Sequence, residues 1–140
     1  MNNEFVSYEI ALKLKELGFD EPCLTYYYEL TSNLRTHLAI DIRNAWTYSE
    51  NKKLGFTLAP LYQQVFRWFR VKYDIDISIN AIYYKYNENT SKKYRVVIDN
   101  KTVFTNVGFY DTYEEAELAF LNKLIMIVKQ QKTLNDGRTI

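Results

Sequence analysis

The sequence predicts an α+β protein in which mostly antiparallel strands form a sheet and helices pack on one face of it. Three segments space their apolar residues as amphipathic helices do, and the segments between them alternate apolar and polar residues as strands do. The predicted order is helix, strand, strand, helix, strand, strand, strand, helix. The chain has 140 residues with only four glycines and two prolines. Because it has little linker sequence, we predict a single domain over residues 1–140.

The clearest helical pattern covers residues 59–73, near the middle of the chain. Val65 and Phe69 belong to a wide apolar face, and the opposite face is polar and charged, which is typical of a helix packed on a sheet or on other helices. Pro60 suits the first helical position, because the N–H that proline lacks would have no partner there. We therefore predict that the helix begins at Pro60.

The N-terminal part predicts a helix followed by a β-hairpin. Residues 7–17 have a helical period, with Ser7 placed to cap the helix and Gly18 placed to stop it. Residues 24–30 and 37–43 both alternate between apolar and polar side chains. Since turn-forming residues separate these two segments, we expect them to pair as antiparallel strands.

Residues 44–58 show neither a helical nor a strand period, although they include Trp46, Tyr48 and Phe56. A loop of this length is uncommon in a compact domain and is often functional or mobile. The simpler interpretation, which we favour, is a surface segment that its own aromatic side chains hold against the protein.

The segment after the central helix predicts a three-stranded antiparallel meander. Residues 75–86, 94–98 and 103–107 alternate between apolar and polar side chains. The connecting residues 87–91 and 99–101 are rich in Asn, Asp and Ser, which favour turns.

The last helix is predicted to begin near Thr112. Thr112 and Glu115 have the spacing of a capping box, and the apolar residues that follow cover more than half of the helix circumference. This should be the most buried helix, with Phe120 and Leu124 packed on the inner face of the meander. The expected contacts there are Ile77, Ile79 and Val96. Residues 133–140 are polar and are predicted to fray.

Composition excludes several classes of protein. The net charge of +1 leaves no basic excess to hold nucleic acid by phosphate neutralisation alone. The single cysteine, Cys23, excludes an internal disulfide and a cysteine-cluster metal site. The N-terminal residues lack the features of a signal peptide, and no apolar run is long enough to span a bilayer. We therefore predict a cytoplasmic location.

No set of residues points to catalysis. A nucleophilic Cys23 would need a base, and His37 is the only histidine. A buried structural thiol and a surface imidazole are the ordinary interpretation of these two residues.

Two pairs of carboxylates, Asp74 with Asp76 and Asp41 with Glu29, could serve a metal or acid–base chemistry. These positions fit the solvent faces of strands equally well, and no phosphate-binding glycine loop accompanies them. We therefore predict no enzyme activity, no catalytic residue, no metal and no cofactor.

Three blocks of the sequence resemble a known group of proteins. They are residues 5–23 (FVSYEIALKLKELGFDEPC), the pair AP at 59–60 leading into 63–70 (QQVFRWFR), and residues 112–117 (TYEEAE). In this order they resemble the opening, middle and end of a family of small uncharacterised proteins from bacteriophages, prophages and mobile elements of Bacteroides-type gut bacteria. The resemblance implies a phage-linked protein in the cytoplasm of a bacterial host, and it implies no catalytic residues.

From residue 59 onward the predicted helix, three strands and helix have the element order of a double-stranded-RNA-binding domain. Such domains hold phosphates with a lysine-rich motif that opens the last helix. Tyr113, Glu114 and Glu117 take those positions here, and carboxylates would repel phosphate. The similarity therefore implies a topology without the RNA contact.

The remaining candidate is an interaction surface of basic and aromatic side chains. Its members are Trp46 and Tyr48 in the long loop, Arg67 and Arg70 on the central helix, and Tyr84, Tyr86, Lys92, Lys93 and Arg95 on the meander. We expect a protein-interaction module that acts on an unidentified host or phage protein. A homodimer is a further expectation, because the aromatic residues exceed what the predicted core uses. The alternative is weak binding of single-stranded nucleic acid through phosphate contacts and stacking.

Overall fold

The computed structural model describes residues 4–35, 45–49, 55–100 and 103–137. In these residues the elements are α1 (Tyr8–Glu16), β1 (Tyr26–Tyr28), β2 (Phe56–Leu58), α2 (Tyr62–Tyr73), β3 (Ile75–Tyr86), β4 (Asn89–Asn100), β5 (Val103–Tyr110) and α3 (Tyr113–Gly137). The strands pair antiparallel, β1 with β2 and β3-β4-β5 in that order. The α+β class is confirmed. The described elements also follow the predicted sequence of helices and strands, but the second strand is at Phe56–Leu58 and not at the predicted 37–43.

The chain groups into two compact units, Met1–Val65 and Phe66–Ile140, and the boundary between them falls inside α2. The prediction of a single domain over residues 1–140 stays a prediction.

Local signals set both ends of α1. The Ser7 hydroxyl accepts a hydrogen bond from the Ile10 N–H at 3.3 Å, as an N-cap does. At the other end Gly18 has φ of +90°, a conformation that glycine adopts without strain. The Phe19 N–H then donates to the Leu14 carbonyl at 3.0 Å, which satisfies one of the last carbonyls of the helix. Both predicted ends of this helix are confirmed to within a residue.

The partner of β1 is a segment that the sequence pattern did not mark as a strand. Tyr26 pairs with Leu58 and Tyr28 with Phe56, so the prediction that residues 44–58 lack regular structure is wrong at β2. All three β2 residues are buried, and a short strand buried on both faces has no alternation to detect. The chain also turns back antiparallel after β1, through a bridge between Tyr27 and Leu34. The predicted strand 37–43 lies outside the described residues.

Helix α2 begins two residues later than Pro60. The Pro60 carbonyl accepts a hydrogen bond from the Val6 N–H at 3.0 Å, and Leu61 forms an isolated bridge with Phe5. This extended pairing holds Pro60 outside the helix, so the prediction that it takes the first helical position is wrong. The helix ends as predicted at Asp74, whose φ of +54° places it in the left-handed region after the last turn.

Strands β3 and β4 form a hairpin closed by a two-residue turn. Asn87 and Glu88 both have positive φ, as a type I′ turn requires, and Tyr86 pairs with Asn89. The predicted loop 87–91 is therefore shorter than expected, because the strand ladder continues to the turn. At the base of the hairpin Ile77 pairs with Ile98. Of the predicted turn 99–101, the first two residues belong to β4 and the third lies outside the described residues.

Helix α3 begins with the predicted capping box. The Thr112 hydroxyl accepts from the Glu115 N–H at 3.1 Å, and the Glu115 carboxylate accepts from the Thr112 N–H at 3.3 Å. The helix packs chiefly against β4 and β5, and both Phe120 and Leu124 are fully buried. It continues through Gly137 with its last residues exposed, so residues 133–137 are helical, and fraying of residues 133–140 stays a prediction.

Candidate interaction surface

The hairpin of β3 and β4 extends beyond β5. The last pair between β4 and β5 joins Tyr94 to Tyr110, whereas β3 and β4 remain paired up to Tyr86 and Asn89. In the described part of the chain, residues 82–93 therefore form a two-stranded ribbon with neither strand flanked by a third. We call this segment the ribbon.

Alternation along the strands divides the side chains between two faces. Residues opposite each other in an antiparallel pair share a face, and the pairs here include Ile82 with Lys93 and Asn80 with Arg95. We call one face of the ribbon and its base the tyrosine face. It carries Asp76, Ser78, Asn80, Ile82, Tyr84, Tyr86, Lys93, Arg95, Asp99 and Phe109.

Three aromatic rings on the tyrosine face are open to solvent. Tyr84 is 42% exposed, Tyr86 79% and Phe109 46%. The rings of Tyr84 and Phe109 meet edge to face, with centroids 6.5 Å apart. Burying an aromatic ring is strongly favourable. A cluster of rings that the chain leaves exposed is therefore typical of a binding surface.

The charges on this face have both signs. The Lys93 ammonium lies 2.9 Å from the Asp111 carboxylate, and this hydrogen bond raises the pKa of Lys93. Asp76 and Asp99 lie directly opposite each other at the base of the same face. The face therefore offers no continuous track of cations for a phosphate backbone.

Arg95 lies between Asn80 and Phe109 in the sheet and is half-buried. Its Nε is buried and has no hydrogen-bond partner among the described residues. A buried donor without an acceptor costs free energy, so this arginine is not placed there for stability alone.

Lys92 is a predicted member of the interaction surface together with Lys93, but it lies on the face of the ribbon opposite the tyrosine face. Its ammonium is 5.6 Å from the centroid of the Tyr83 ring and 4.9 Å from that of Tyr94. A hydrogen bond with Tyr94 raises the pKa of Lys92. The Tyr94 ring in turn meets Tyr113 of α3 edge to face, at 5.6 Å. Lys92 thus belongs to a second aromatic cluster.

Arg67 and Arg70 lie on the exposed side of α2, opposite the buried Val65 and Phe69. Their side chains face solvent, as the helical period predicted. No contact described for residues 55–100 or 103–137 joins either arginine to the ribbon, so the structure does not bring these two cations to the tyrosine face.

Trp46 and Tyr48 belong to the unit Met1–Val65, where both are half-buried. The backbone of Trp46 pairs with Cys23 through two hydrogen bonds of 2.9 Å. Its ring meets the Tyr26 ring at 4.9 Å, edge to face. The Tyr48 ring stacks on Phe56 at 5.7 Å. These contacts show internal packing, which was the simpler interpretation of this segment.

Further contacts of Tyr48 are also internal. Its hydroxyl accepts a hydrogen bond from the Leu58 N–H at 2.7 Å, and its own N–H donates to the Asp20 carboxylate. Burial raises the pKa of the Tyr48 phenol. The described contacts of Trp46 and Tyr48 are thus within the unit Met1–Val65, and their place in an interaction surface stays a prediction.

The titratable residues considered for chemistry have structural partners. Burial, followed by the nearby Glu21 and Asp20 carboxylates, raises the pKa of the Cys23 thiol and opposes the reactive thiolate. The Glu29 carboxylate accepts hydrogen bonds from Lys15 at 2.7 Å and from the Thr57 hydroxyl at 3.1 Å. His37 and Asp41 lie outside the described residues.

The described residues contain neither a metal-binding cluster nor a membrane-spanning helix. No cluster of His, Cys, Asp and Glu side chains there could hold a metal ion. No helix there is both long enough and apolar enough to cross a bilayer. The absence of a cofactor and the cytoplasmic location stay predictions.

Comparison with known proteins does not assign the chain to a family. No protein-family model, no curated protein and no solved structure matches the chain. The resemblance to phage proteins and the similarity to double-stranded-RNA-binding domains therefore stay predictions.

One member of the tyrosine face was missed by sequence reasoning. The alternating pattern in the sequence predicts a strand that ends at residue 107, but β5 continues past Gly108 to Tyr110. A β-bulge shifts the register between β4 and β5 at this point, and Gly108 has φ of +146°. The bulge interrupts the alternation and hides Phe109 from a period-two search. An aromatic pair directly after a glycine was the available signal.

Proposed function

We propose that the protein is a protein-binding module and that the tyrosine face of the ribbon is its contact surface. The observation that supports this best is the group of exposed rings at Tyr84, Tyr86 and Phe109 beside the half-buried Arg95. Tyrosine and arginine dominate the residues that carry binding energy in protein interfaces. The partner we infer is an unidentified protein of the bacterial host or of a phage.

The distribution of charge favours a protein over a nucleic acid. Lys93 is already paired with Asp111, and Asp76 and Asp99 add two carboxylates to the same face. Phosphate would be repelled by these carboxylates, whereas a protein surface can present cations and anions to match both signs.

The proposal is tested with a pair of variants that differ only in the face they affect. Tyr84→Ala removes a ring from the tyrosine face, and Tyr83→Ala removes the neighbouring, more exposed ring from the opposite face. Proteins captured from a Bacteroides-type lysate by the wild-type chain would be identified and purified, and their affinities measured by calorimetry. Tyr84→Ala should raise the Kd for a true partner about thirtyfold, equivalent to about 2 kcal/mol, and Tyr83→Ala should leave this Kd unchanged. A partner that binds both variants as well as the wild type would contradict the proposal.

Single-stranded nucleic acid is the second candidate, supported by the closeness of exposed rings to Lys93 and Arg95. Stacking on such rings is tolerant of sequence and is reinforced by nearby cations. We expect at most weak, salt-sensitive binding and none to duplex RNA, because the basic residues of the candidate surface are divided between α2 and the two faces of the meander. Fluorescence anisotropy with labelled poly-dT at two salt concentrations is the measurement. Tight binding with a steep salt dependence would make this the first candidate.

A further inference from the structure

Strand β3 has one free edge. In the described part of the chain β4 is its only partner, and the register between them is unbroken over all their residues. In a hairpin with a two-residue turn, the residues that flank the turn form a hydrogen-bonded pair. Since Tyr86 pairs with Asn89 across such a turn, it directs its backbone groups toward β4. Backbone direction alternates along a strand. The residues that direct N–H and C=O away from β4 are therefore Ile77, Ile79, Ala81, Tyr83 and Lys85.

This edge lacks three features that prevent strand pairing, namely proline, a β-bulge and a very short strand. Strand β3 has 12 residues, contains no proline and pairs without a bulge. A charged side chain is a further protective feature, and Lys85 is present near the turn. The opposite edge of the same sheet, β5, has both a bulge and a glycine with φ of +146°. The backbone of β3 is therefore the more regular of the two edges.

The side chains beside the free edge are incompletely buried. Because α3 packs chiefly against β4 and β5, Ile77 and Ile79 at the base of β3 are only half-buried. On the same face, nearer the turn, Tyr83 is 64% exposed and Ala81 is also exposed. The edge thus has uncovered isoleucines at one end and an uncovered aromatic ring at the other.

We propose that β3 pairs antiparallel with β3 of a second copy of this chain, about a two-fold axis at Ala81. In this register Tyr83 of each copy lies opposite Ile79 of the other, and Lys85 lies opposite Ile77. Aromatic and β-branched residues are favourable cross-strand partners, and the aliphatic stem of Lys85 covers Ile77 while its ammonium reaches water. The two sheets become one continuous sheet.

The charges and the register agree with this arrangement. No like charges face each other, because Asp76 lies opposite Tyr86 of the second copy. Sliding one strand by two residues, to centre the axis on Asn80, would place Lys85 opposite Ile75, which is already fully buried. The Ala81 register is therefore favoured, with its smallest side chain where the two copies approach at the axis.

This dimer is independent of the proposed function. It uses the edge of β3 and the face that carries Tyr83, and it leaves Tyr84, Tyr86 and Phe109 exposed on the tyrosine face. The variant Tyr83→Ala should weaken the dimer, whereas Tyr84→Ala should not.

The first experiment is sedimentation equilibrium from micromolar to millimolar concentration. The wild type should form a species of twice the chain mass of 16.7 kDa. Ala81→Pro removes an edge N–H and leaves the hydrogen bonds to β4 intact, so it should weaken the dimer more than about tenfold. Ala81→Ser keeps the N–H and is the matched control, with amide NMR spectra to verify the fold of both. A monomeric wild type at every concentration, or equal dimerisation of both variants, would overturn the proposal.

Cross-linking tests the register without relying on proline. Paired residues in a hydrogen-bonded antiparallel position have Cα atoms about 5.5 Å apart, within the range of a disulfide. Ala81→Cys should therefore form a covalent dimer under mild oxidation, faster than Asn80→Cys, whose position is not opposite itself. The native Cys23 is fully buried and does not compete. Equal rates for the two variants would refute the Ala81 axis.

Discussion

At the scale of single residues, the polar groups of the unit Met1–Val65 clamp segments that are distant in sequence. The Lys15 ammonium of α1 lies 2.7 Å from the Glu29 carboxylate and 5.0 Å from the centroid of the Tyr48 ring. The Asp20 carboxylate accepts hydrogen bonds from the N–H groups of both Tyr48 and Ser49. Sequence patterns do not reveal such contacts, because each joins residues that are 14 or more positions apart in the chain.

The Glu29 clamp gives a pH-dependent prediction. The hydrogen bond from Lys15 lowers the pKa of Glu29 below its ordinary value in the folded protein. The stabilisation is therefore present above the ordinary glutamate pKa, about 4.3, and is lost as the pH falls through the lower folded value. Glu29→Gln should melt below the wild type at pH 7, and the difference should vanish in acid. Glu9→Gln, in a more exposed pair with Lys13, is the control and should shift little. A constant difference across pH would contradict this assignment.

At the scale of elements, the turn of the ribbon is where the sequence is not the best for its backbone. Glu88 has φ of +30°, and a positive φ costs conformational free energy in a residue that has a Cβ. Type I′ turns favour Asn-Gly at these two positions for this reason. Glu88→Gly should therefore stabilise the chain by about 0.5–1 kcal/mol in urea unfolding. Thr90→Gly, two residues later inside β4, should destabilise it. A loss of stability in Glu88→Gly would show that the turn does not have this conformation.

The elements also show what a sequence can reveal. The ends of α1 and the start of α3 were predictable because Ser7, Gly18 and Thr112 act on neighbours a few residues away. The pairing of β1 with β2 was not, because it joins short segments far apart in sequence. The start of α2 was misplaced for the same reason: Pro60 is held by a hydrogen bond from Val6, which is distant in sequence.

The candidate site was predictable to the same extent. Alternation along the strand predicts that Lys93 and Arg95 share a face, and the register shows that Tyr84 and Tyr86 belong to the same face. Membership of the face could not be extended to Lys92, because neighbouring residues in a strand point in opposite directions. Trp46 and Tyr48 were assigned to the surface because nothing local indicates which aromatic residues of an aperiodic segment turn inward.

At the scale of the whole molecule, the last prediction concerns cooperativity. Helix α2 supplies the buried Val65 to one compact unit and the buried Phe66 and Phe69 to the other. Because the boundary between the units falls inside this helix, unfolding of either unit would break backbone hydrogen bonds of α2 itself. We therefore expect one unfolding transition.

Leu14→Ala in α1 and Leu124→Ala in α3 should each lower the free energy of unfolding in that one transition by about 2–5 kcal/mol, since both leucines are almost completely buried. Calorimetry together with circular dichroism measures this, with the exposed Leu30→Ala as the control. Two separate transitions, each sensitive to only one of the two variants, would show that the units unfold independently and that the prediction of a single domain is wrong.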